Sequence, residues 1–308
     1  MPPALPLLPP FPPRPPFPLL HVTGLAWMAL AQLLFAAMNV CTRLSARALP
    51  WPEIAAVRFL VGAIIALFVA RQSGSRLSVR DRRSAWRRSG YGTLAAVCAF
   101  YALGSSHIAL GDVATLGATA PIFVALLSRP LLSEPVDGWV SVAVALGFAG
   151  VVAVVRPSFA VAIPVALVAT LGAAFYALAM IWLRKIGPAE SHEAVVLHFS
   201  LVALGTFLVL AVPVWHWADW KSGLFLLGAG IGGGGAQIAM TRAYALHRAA
   251  PVTALSGLGV VLTYLFAIPA LGDQPSPWQM AGSLLVIAAG VLLAVSSKPS
   301  PAVARAST

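Results

Sequence analysis

The chain alternates between long apolar runs and short polar connections. A helix needs about 20 residues to cross a bilayer core of roughly 30 Å. Ten candidate spans are predicted near residues 24–42, 54–70, 91–107, 113–132, 138–155, 160–182, 194–214, 223–244, 251–271 and 277–296. Because the connections are short, we expect neighbouring antiparallel helices, and hence an all-α integral membrane protein with ten transmembrane helices.

The second half of the chain repeats the first at an offset of about 140 residues. Matching positions include Phe35 with Phe175, Glu53 with Glu193, Phe59 with Phe199 and Trp139 with Trp278. Each copy holds five runs, and this odd number predicts that the second copy enters the membrane upside down. Inverted repeats of this kind are typical of transporters. The predicted units are a Pro-rich tail (1–23), two five-helix repeats (24–158 and 159–297) and a short tail (298–308).

Composition agrees with a membrane protein. The chain has 308 residues, of which 59% are hydrophobic and 9% are charged, whereas soluble domains carry about 25% charged residues. The net charge of +11 resides in short connections, where it sets orientation, so we expect no nucleic-acid partner.

The distribution of basic residues predicts an orientation. The connection after the second run contains Arg71, Arg76, Arg80, Arg82, Arg83, Arg87 and Arg88. Such a connection stays in the cytoplasm, which places both termini there. The same reasoning assigns five basic residues to the outer side, namely Arg43, Arg47, Arg58, Arg156 and Lys221.

Residues 1–18 contain ten prolines and one charge. They are interpreted as a polyproline-like or disordered tail, for which a partner-binding role is left open. Cys41 and Cys98 lie in apolar runs without metal spacing, so we expect small apolar fillers. No metal and no cofactor are predicted.

Glycine and proline interrupt three of the runs. Residues 228–235 satisfy the pattern G-x-G-x-x-G, but the strand that a nucleotide site requires is missing. We therefore expect a small-residue face, with Gly230 and Gly234 at a hinge or helix contact, and a bend or unwound segment. Pro121 in the fourth run and Pro251 at the start of the ninth are further hinge candidates, and Pro269 predicts a kink in the ninth. Such kinks either line a cavity or serve packing.

Buried acidic residues are scarce. Glu53, Asp112, Glu134 and Asp273 lie near the predicted interfaces, so proton coupling through a buried carboxylate is not favoured. Neutral polar and aromatic groups are the candidate substrate-binding residues: Gln32, Asn39, Tyr101, Thr115, Thr119, Tyr176, Gln237, Thr241, Tyr244, Ser256 and Tyr264. Each could equally bond a neighbouring helix.

Three further polar features have two interpretations each. His107 and His198 could carry a proton or be satisfied interfacial histidines. Arg242 could attract an anionic substrate or reach from the helix to the interface. The tryptophans of 215–220 could form an interfacial belt or a gate.

Four segments carry a family resemblance: Ala120-Pro121-Ile122-Phe123, Ser133-Glu134-Pro135, Thr241-Arg242-Ala243-Tyr244 and Ala250-Pro251-Val252. With these segments in this order, the chain resembles the EamA type of the drug/metabolite transporter superfamily. The resemblance implies ten helices in two inverted units, a central cavity and alternating access. It also implies small polar metabolites as substrates and a bacterial inner membrane, where many members are exporters. Gly257-Leu258-Gly259 departs from the first-repeat motif.

The favoured hypothesis is a secondary transporter, an exporter of amino acids or amino-acid-derived compounds. The partners are then a small-molecule substrate and membrane lipid, with a homodimer left open. One alternative is a structural or sensory membrane protein. Another is an intramembrane enzyme, but the chain lacks H-E-x-x-H, G-x-S-x-G and an Asp-rich pair, and no catalytic residue is predicted.

Overall fold

The computed structural model describes residues 24–132, 138–155, 163–186, 190–246 and 255–296. These ranges hold eleven α-helices, a 3₁₀ turn (Val212–Val214) and no β-strand. The helices are α1 (Gly24–Ser45), α2 (Trp51–Gln72), α3 (Arg82–Gly104), α4 (Leu110–Gly117), α5 (Ala120–Leu132), α6 (Gly138–Val155), α7 (Ile163–Ile186), α8 (His192–Ala211), α9 (Trp220–Leu246), α10 (Ser256–Leu271) and α11 (Pro277–Ser296). The predicted all-α class is confirmed. Pro251 and both tails lie outside the described residues.

The helices present an apolar exterior. Within the described ranges α1, α2, α7, α8 and α9 are long and apolar enough to cross a bilayer. Shorter apolar stretches lie in α4–α5, α6, α10 and α11. Large side chains face outward, among them Val209 (75% exposed) and Leu284 (66% exposed). Apolar surface of this extent requires lipid as the solvent, so the chain is a multi-pass membrane protein. The count of ten spans stays a prediction.

Two of the arginines that the charge pattern assigned to the cytoplasmic connection and the outer side are buried within helices instead. The third helix begins at Arg82 rather than near residue 91, because Asp81 caps it by accepting a hydrogen bond from the backbone N–H of Ser84 (3.1 Å). Arg88 is therefore a buried residue of α3. Similarly, α2 begins at Trp51, which places Arg58 in its second turn, also buried.

The fourth apolar run is two helices and not one helix kinked at its centre. Helix α4 ends at Gly117 and α5 begins at Ala120. Pro121 is therefore the second residue of α5, where its missing N–H leaves no intrahelical bond unmade. The break precedes the proline, and the Thr119 hydroxyl donates to the Leu116 carbonyl (2.6 Å) within it.

The glycine-rich helix is continuous, which corrects the expected unwound segment. Helix α9 runs from Trp220 to Leu246, and its glycines lie against α1 and α2. A Cβ at Gly230 would stand 2.6 Å from Val61, and one at Gly234 would stand 3.0 Å from the Cα of Gly62. Contact with these two helices stabilises α9 despite the low helix propensity of glycine.

The two halves of the chain pack across one another in exchanged pairs. Helix α1 packs on α9 and α3 packs on α7, while α2 contacts α8 and α6 contacts α11. Two inverted repeats would pack in this exchanged way. The repeat organisation itself stays a prediction. Cys41 lies opposite Gly228, and Cys98 opposite Gly172. Each thiol fills a space that a glycine leaves, as expected for an apolar filler.

The crossing of α6 and α11 supplies a test of this packing. A Cβ at Gly282 would stand 2.6 Å from the Gly150 carbonyl oxygen and 2.8 Å from the Val154 nitrogen. Both are backbone atoms that cannot rotate away. We expect Gly282→Ala to destabilise the protein by about 1–3 kcal/mol through overpacking, measured as a lower melting temperature in detergent.

Gly290→Ala on the same helix is the matched control. No heavy atom lies within 4 Å of the Cβ it would add, and alanine is favoured over glycine in a helix by about 1 kcal/mol. We expect unchanged or increased stability. Equal melting temperatures for the two variants would contradict the close crossing.

Candidate functional site

A cavity of about 640 Å³ lies inside the bundle. Side chains from α1, α2, α3, α7, α8, α9 and α10 surround it, together with the α4–α5 break. Small-molecule sites in proteins have volumes of about 300–1,000 Å³, so this cavity has the size of a metabolite site.

Small residues on one face of α3 make room for the cavity. Arg88, Gly92, Ala95, Ala99 and Leu103 line it, at spacings of three and four residues that place them on one side of a helix. The centre of this face carries no large side chain.

Several predicted polar residues line the cavity. These are Gln32, Asn39, Tyr176, Gln237 and Thr241. The side-chain oxygen of Gln237 is buried and has no hydrogen-bond partner among the described residues. The Tyr176 hydroxyl donates to the Met240 sulfur (3.0 Å). These groups give an otherwise apolar chamber a small set of donors and acceptors.

The predicted prolines have different positions. Pro121 lines the cavity at the start of α5, so the α4–α5 break forms part of the wall. Pro269 is exposed on α10, away from the chamber. Pro121 and Pro269 therefore do not form a symmetric pair in the cavity wall.

Four other predicted residues lie away from the cavity lining. Tyr101 faces outward (39% exposed) and packs edge-on against Trp51. Thr115 bonds Ser283 (2.8 Å), and Tyr264 donates to Asp112 (2.7 Å). The Thr119 hydroxyl donates to the Leu116 carbonyl, as described above. The side chains of Tyr244 and Ser256 lie outside the described residues. We therefore do not propose Tyr101, Thr115, Thr119 or Tyr264 as substrate ligands.

Asp112 joins three helices at one end of the bundle. Its carboxylate accepts hydrogen bonds from Tyr264 of α10 and from the Gln279 amide of α11. Asp112 is 3% exposed, because these helices cover it, and its position near the membrane interface stays a prediction. Nearby, Asp273 accepts from the Leu110 N–H (3.0 Å).

Arg43 lies at the same end of the bundle. Its guanidinium donates to the carbonyls of Leu103 (2.7 Å) and Ile108 (2.9 Å). These bonds fasten the α3–α4 connection to the C-terminal end of α1. Together with Asp112 they tie α1, α3, α4, α10 and α11 into a polar closure, which we call the Asp112 end.

The cavity reaches the opposite end of the bundle. Its lining includes Ile186, Glu190 and His192, from the end of α7 and the start of α8. Glu190 accepts hydrogen bonds from the backbone N–H groups of Arg80 and Asp81 (2.8 and 3.0 Å). The cavity thus extends toward the arginine-rich connection, whereas Arg43 and Asp112 are not among its lining residues.

Arg242 has a role that neither sequence interpretation named. Its guanidinium pairs with Glu193 of α8 (3.6 Å) and lies over the Trp27 ring of α1. It therefore ties α9 to two other helices beside the cavity end. His198 bonds the Ser89 hydroxyl (2.8 Å), and the exposed Trp217 is not part of the lining.

Sequence reasoning missed two cavity residues, Arg58 and Arg88. They are 3% and 1% exposed and both line the chamber. The charge count placed Arg88 in the connection before the third run and Arg58 among the outer basic residues, although Arg58 lies within the predicted span 54–70. The signal that could have found Arg88 is its spacing with the small residues of α3, since it begins the stripe Gly92, Ala95 and Ala99.

Comparisons with known proteins identify related transporters. Residues 22–156 match the model of the EamA-like transporter family. The chain is similar to the pseudopaline exporter CntI of Pseudomonas aeruginosa, at 27% identity over 90% of this chain and 97% of the relative. It is also similar to a riboflavin transporter of Vibrio cholerae (27% identity, 88% and 91% covered) and to human solute carrier family 35 member G1 (24% identity, 79% and 71% covered).

A protein of known crystal structure has the same fold. The match has a TM-score of 0.63 and 18% sequence identity, and it covers 85% of this chain and 95% of the other.

Replacing Asp112 tests the closure. A carboxylate accepts from both Tyr264 and Gln279, whereas asparagine has one side-chain acceptor oxygen. Asp112→Asn therefore leaves one buried donor unsatisfied, at a cost of about 1–3 kcal/mol. We expect a lower melting temperature of the purified protein.

Asp219→Asn is the control for this substitution. Asp219 accepts from the Ser222 N–H at the start of α9 (3.1 Å) and is exposed, and asparagine caps helices about as well as aspartate. We expect no change in stability. A similar loss in both variants would show that Asp112 does not hold the closed end.

Thiol labelling tests the cavity itself. In a background with Cys41 and Cys98 replaced by alanine, Ala99→Cys should react with a hydrophilic methanethiosulfonate reagent, because Ala99 lines the chamber. Ala143→Cys, in the dry contact of α6 with α11, should not react because Ala143 is fully buried among apolar side chains. Equal modification of both, measured by mass spectrometry, would contradict the assigned lining.

Proposed function

Since the chain is a member of the drug/metabolite transporter superfamily, we propose that it exports small polar metabolites, such as amino acids or amino-acid-derived compounds, across a bacterial inner membrane. Membership places it among proteins that transport small molecules across membranes and not among enzymes. The substrate class, the direction and the membrane are the parts that we propose.

A metabolite-sized cavity that extends to one end of the bundle is the observation that carries the proposal. Its lining continues to the α7–α8 connection, whereas the hydrogen-bonded Arg43 and Asp112 at the other end are not among the lining residues. A chamber reached from one side at a time is the arrangement that alternating access requires. A structural or sensory protein has no need of it.

The arginine-rich connection supports an inward-facing state. Residues 73–81 join α2 to α3 at the end that the cavity reaches, and Arg76 and Arg80 there are exposed. Because loops rich in arginine remain cytoplasmic, we place this end and both termini in the cytoplasm. The cavity would then receive its substrate from the cytoplasm, as an exporter must.

Two inverted five-helix repeats supply the motion. The exchanged pairs α1 with α9 and α3 with α7 would let one unit rock against the other. The α4–α5 break belongs to the first of these units and lines the cavity. We place the flexible part of the wall at this break.

Transport by the purified protein tests the function. The protein in liposomes should move labelled amino acids or related metabolites faster than empty liposomes do, with and without a pH gradient. Failure of every solute to move under any gradient would overturn the proposed function.

Substitutions of two tyrosines test whether the substrate passes through the cavity. Tyr176→Phe removes a hydroxyl that faces the chamber, whereas Tyr101→Phe removes one on the exterior. We expect the first variant to raise the KM of transport about tenfold, which is roughly the 1.4 kcal/mol of a lost hydrogen bond. The second should transport like the parent. Unchanged kinetics in both would remove the assigned route and leave the fold intact.

A further inference from the structure

Two positive charges are buried in the cavity wall with few acceptors. Arg88 is the largest of the fully buried side chains, and Arg58 is 3% exposed. The Nε and Nη1 atoms of both guanidinium groups have no hydrogen-bond partner among the described residues. One long bond satisfies part of Arg58, from Nη2 to the Gly233 carbonyl (3.3 Å). Buried charge without compensation is strongly unfavourable.

Aromatic rings hold the two groups in place but do not neutralise them. The guanidinium of Arg58 lies 4.0 Å from the Phe59 ring centroid, and that of Arg88 lies 4.0 Å from Phe199. The two rings pack edge to face, with centroids 5.3 Å apart. Ring faces attract cations, yet they accept no in-plane hydrogen bonds. The groups are thus positioned side by side with their donors available.

The acidic residues of the described ranges all have other partners. Glu53 accepts from the His216 N–H, Glu193 pairs with Arg242, and Glu190 accepts from the Arg80 and Asp81 backbone. Asp81 and Asp219 cap helices, and Asp112 and Asp273 belong to the Asp112 end. Glu134 and Asp137 lie outside the described residues.

From these observations we infer that the cavity binds an organic anion whose carboxylates pair with Arg58 and Arg88. Guanidinium groups match carboxylates through two parallel hydrogen bonds. Because each guanidinium lies over its own ring, two separated carboxylates on one molecule fit better than a single compact anion. The inference deepens the proposed function and rests on it, since it names the charge class of the transported metabolite.

The neutral groups of the chamber complete the site. Gln237 presents a buried oxygen without a described partner, and Asn39 and Tyr176 also line the cavity. These groups would bond the uncharged or amino part of the same molecule. The two arginines would then set the charge class, and the neutral groups would choose among anions of that class.

Charge-selective labelling tests the site without any transport. Ala99→Cys lies on the same face of α3 as Arg88. An anionic methanethiosulfonate reagent (sulfonatoethyl) should modify it roughly tenfold faster than the cationic trimethylammonioethyl reagent, because a charged cleft concentrates counter-ions to this extent. Arg58→Gln and Arg88→Gln should each reduce the preference. Arg83→Gln should retain it, since Arg83 is exposed on α3.

Three five-carbon compounds identify the ligand class by protection of this cysteine. Glutarate carries two carboxylates, pentanoate one, and cadaverine two ammonium groups. Glutarate should slow labelling more than pentanoate, and cadaverine should not slow it. Equal protection by the two acids would overturn the requirement for two carboxylates, and protection by cadaverine or by neither acid would overturn the anion site.

Thermal stability separates a binding role from a structural one. If no acceptor compensates the charge, Arg88→Met should melt at the same or a higher temperature than the parent without ligand, since it replaces a buried charge by an apolar side chain. A large drop in melting temperature, or failure to fold, would show a structural role and overturn the inference. Charge-selective labelling without any transport would instead count against the proposed function alone.

Discussion

Close approach of helix backbones is the constraint on which this bundle depends. Lipid tails are as apolar as the side chains that face them, so no hydrophobic force draws the helices together. Association then requires contact between backbones, which glycine permits. Gly234 meets Gly62 where α9 crosses α2, and Gly282 meets Gly150 where α11 crosses α6. These crossings fix the outer frame within which the remaining helices can stand apart.

The cavity occupies the space that these crossings leave between the remaining helices. Along α3 the same kinds of small residue, Gly92, Ala95 and Ala99, line the cavity, and the Phe199 ring lies against Gly92. Phenylalanines from α2, α3 and α8 form a rigid floor beside it, with Phe59 and Phe207 stacked at 5.4 Å. Arg58 and Arg88 extend from this floor. Small residues thus serve packing where two helices meet and serve binding where they do not.

Hydropathy predicts most of this architecture and fails at specific residues. The apolar runs gave the helices, and the chamber contains Gln32, Asn39, Tyr176, Gln237 and Thr241 as expected. Hydropathy averaged over a window does not show that a single charge among apolar neighbours is tolerated when aromatic rings pack against it.

Two other differences arise from tertiary contacts. The continuity of α9 depends on Val61 and Gly62 of another helix, and the burial of Asp112 depends on partners more than 150 positions away in sequence. Tyr264 has the composition of a lining residue, yet its hydroxyl is committed to Asp112. Single-sequence patterns contain none of these pairings, because each is set by which helices become neighbours.

The placement of charge gives a direction to the proposed transport. The acidic groups of the described chain are fixed at helix ends, whereas two basic groups stand within the chamber. A molecule that neutralises them carries negative charge. An inside-negative membrane potential favours outward movement of such a molecule by about 2.3 kcal/mol per elementary charge at 100 mV, provided that the arginines do not move across the field with it. The proposed inward-facing chamber, with two arginines in its wall, would therefore suit export driven by the potential alone, which needs no buried proton-carrying carboxylate within the cavity.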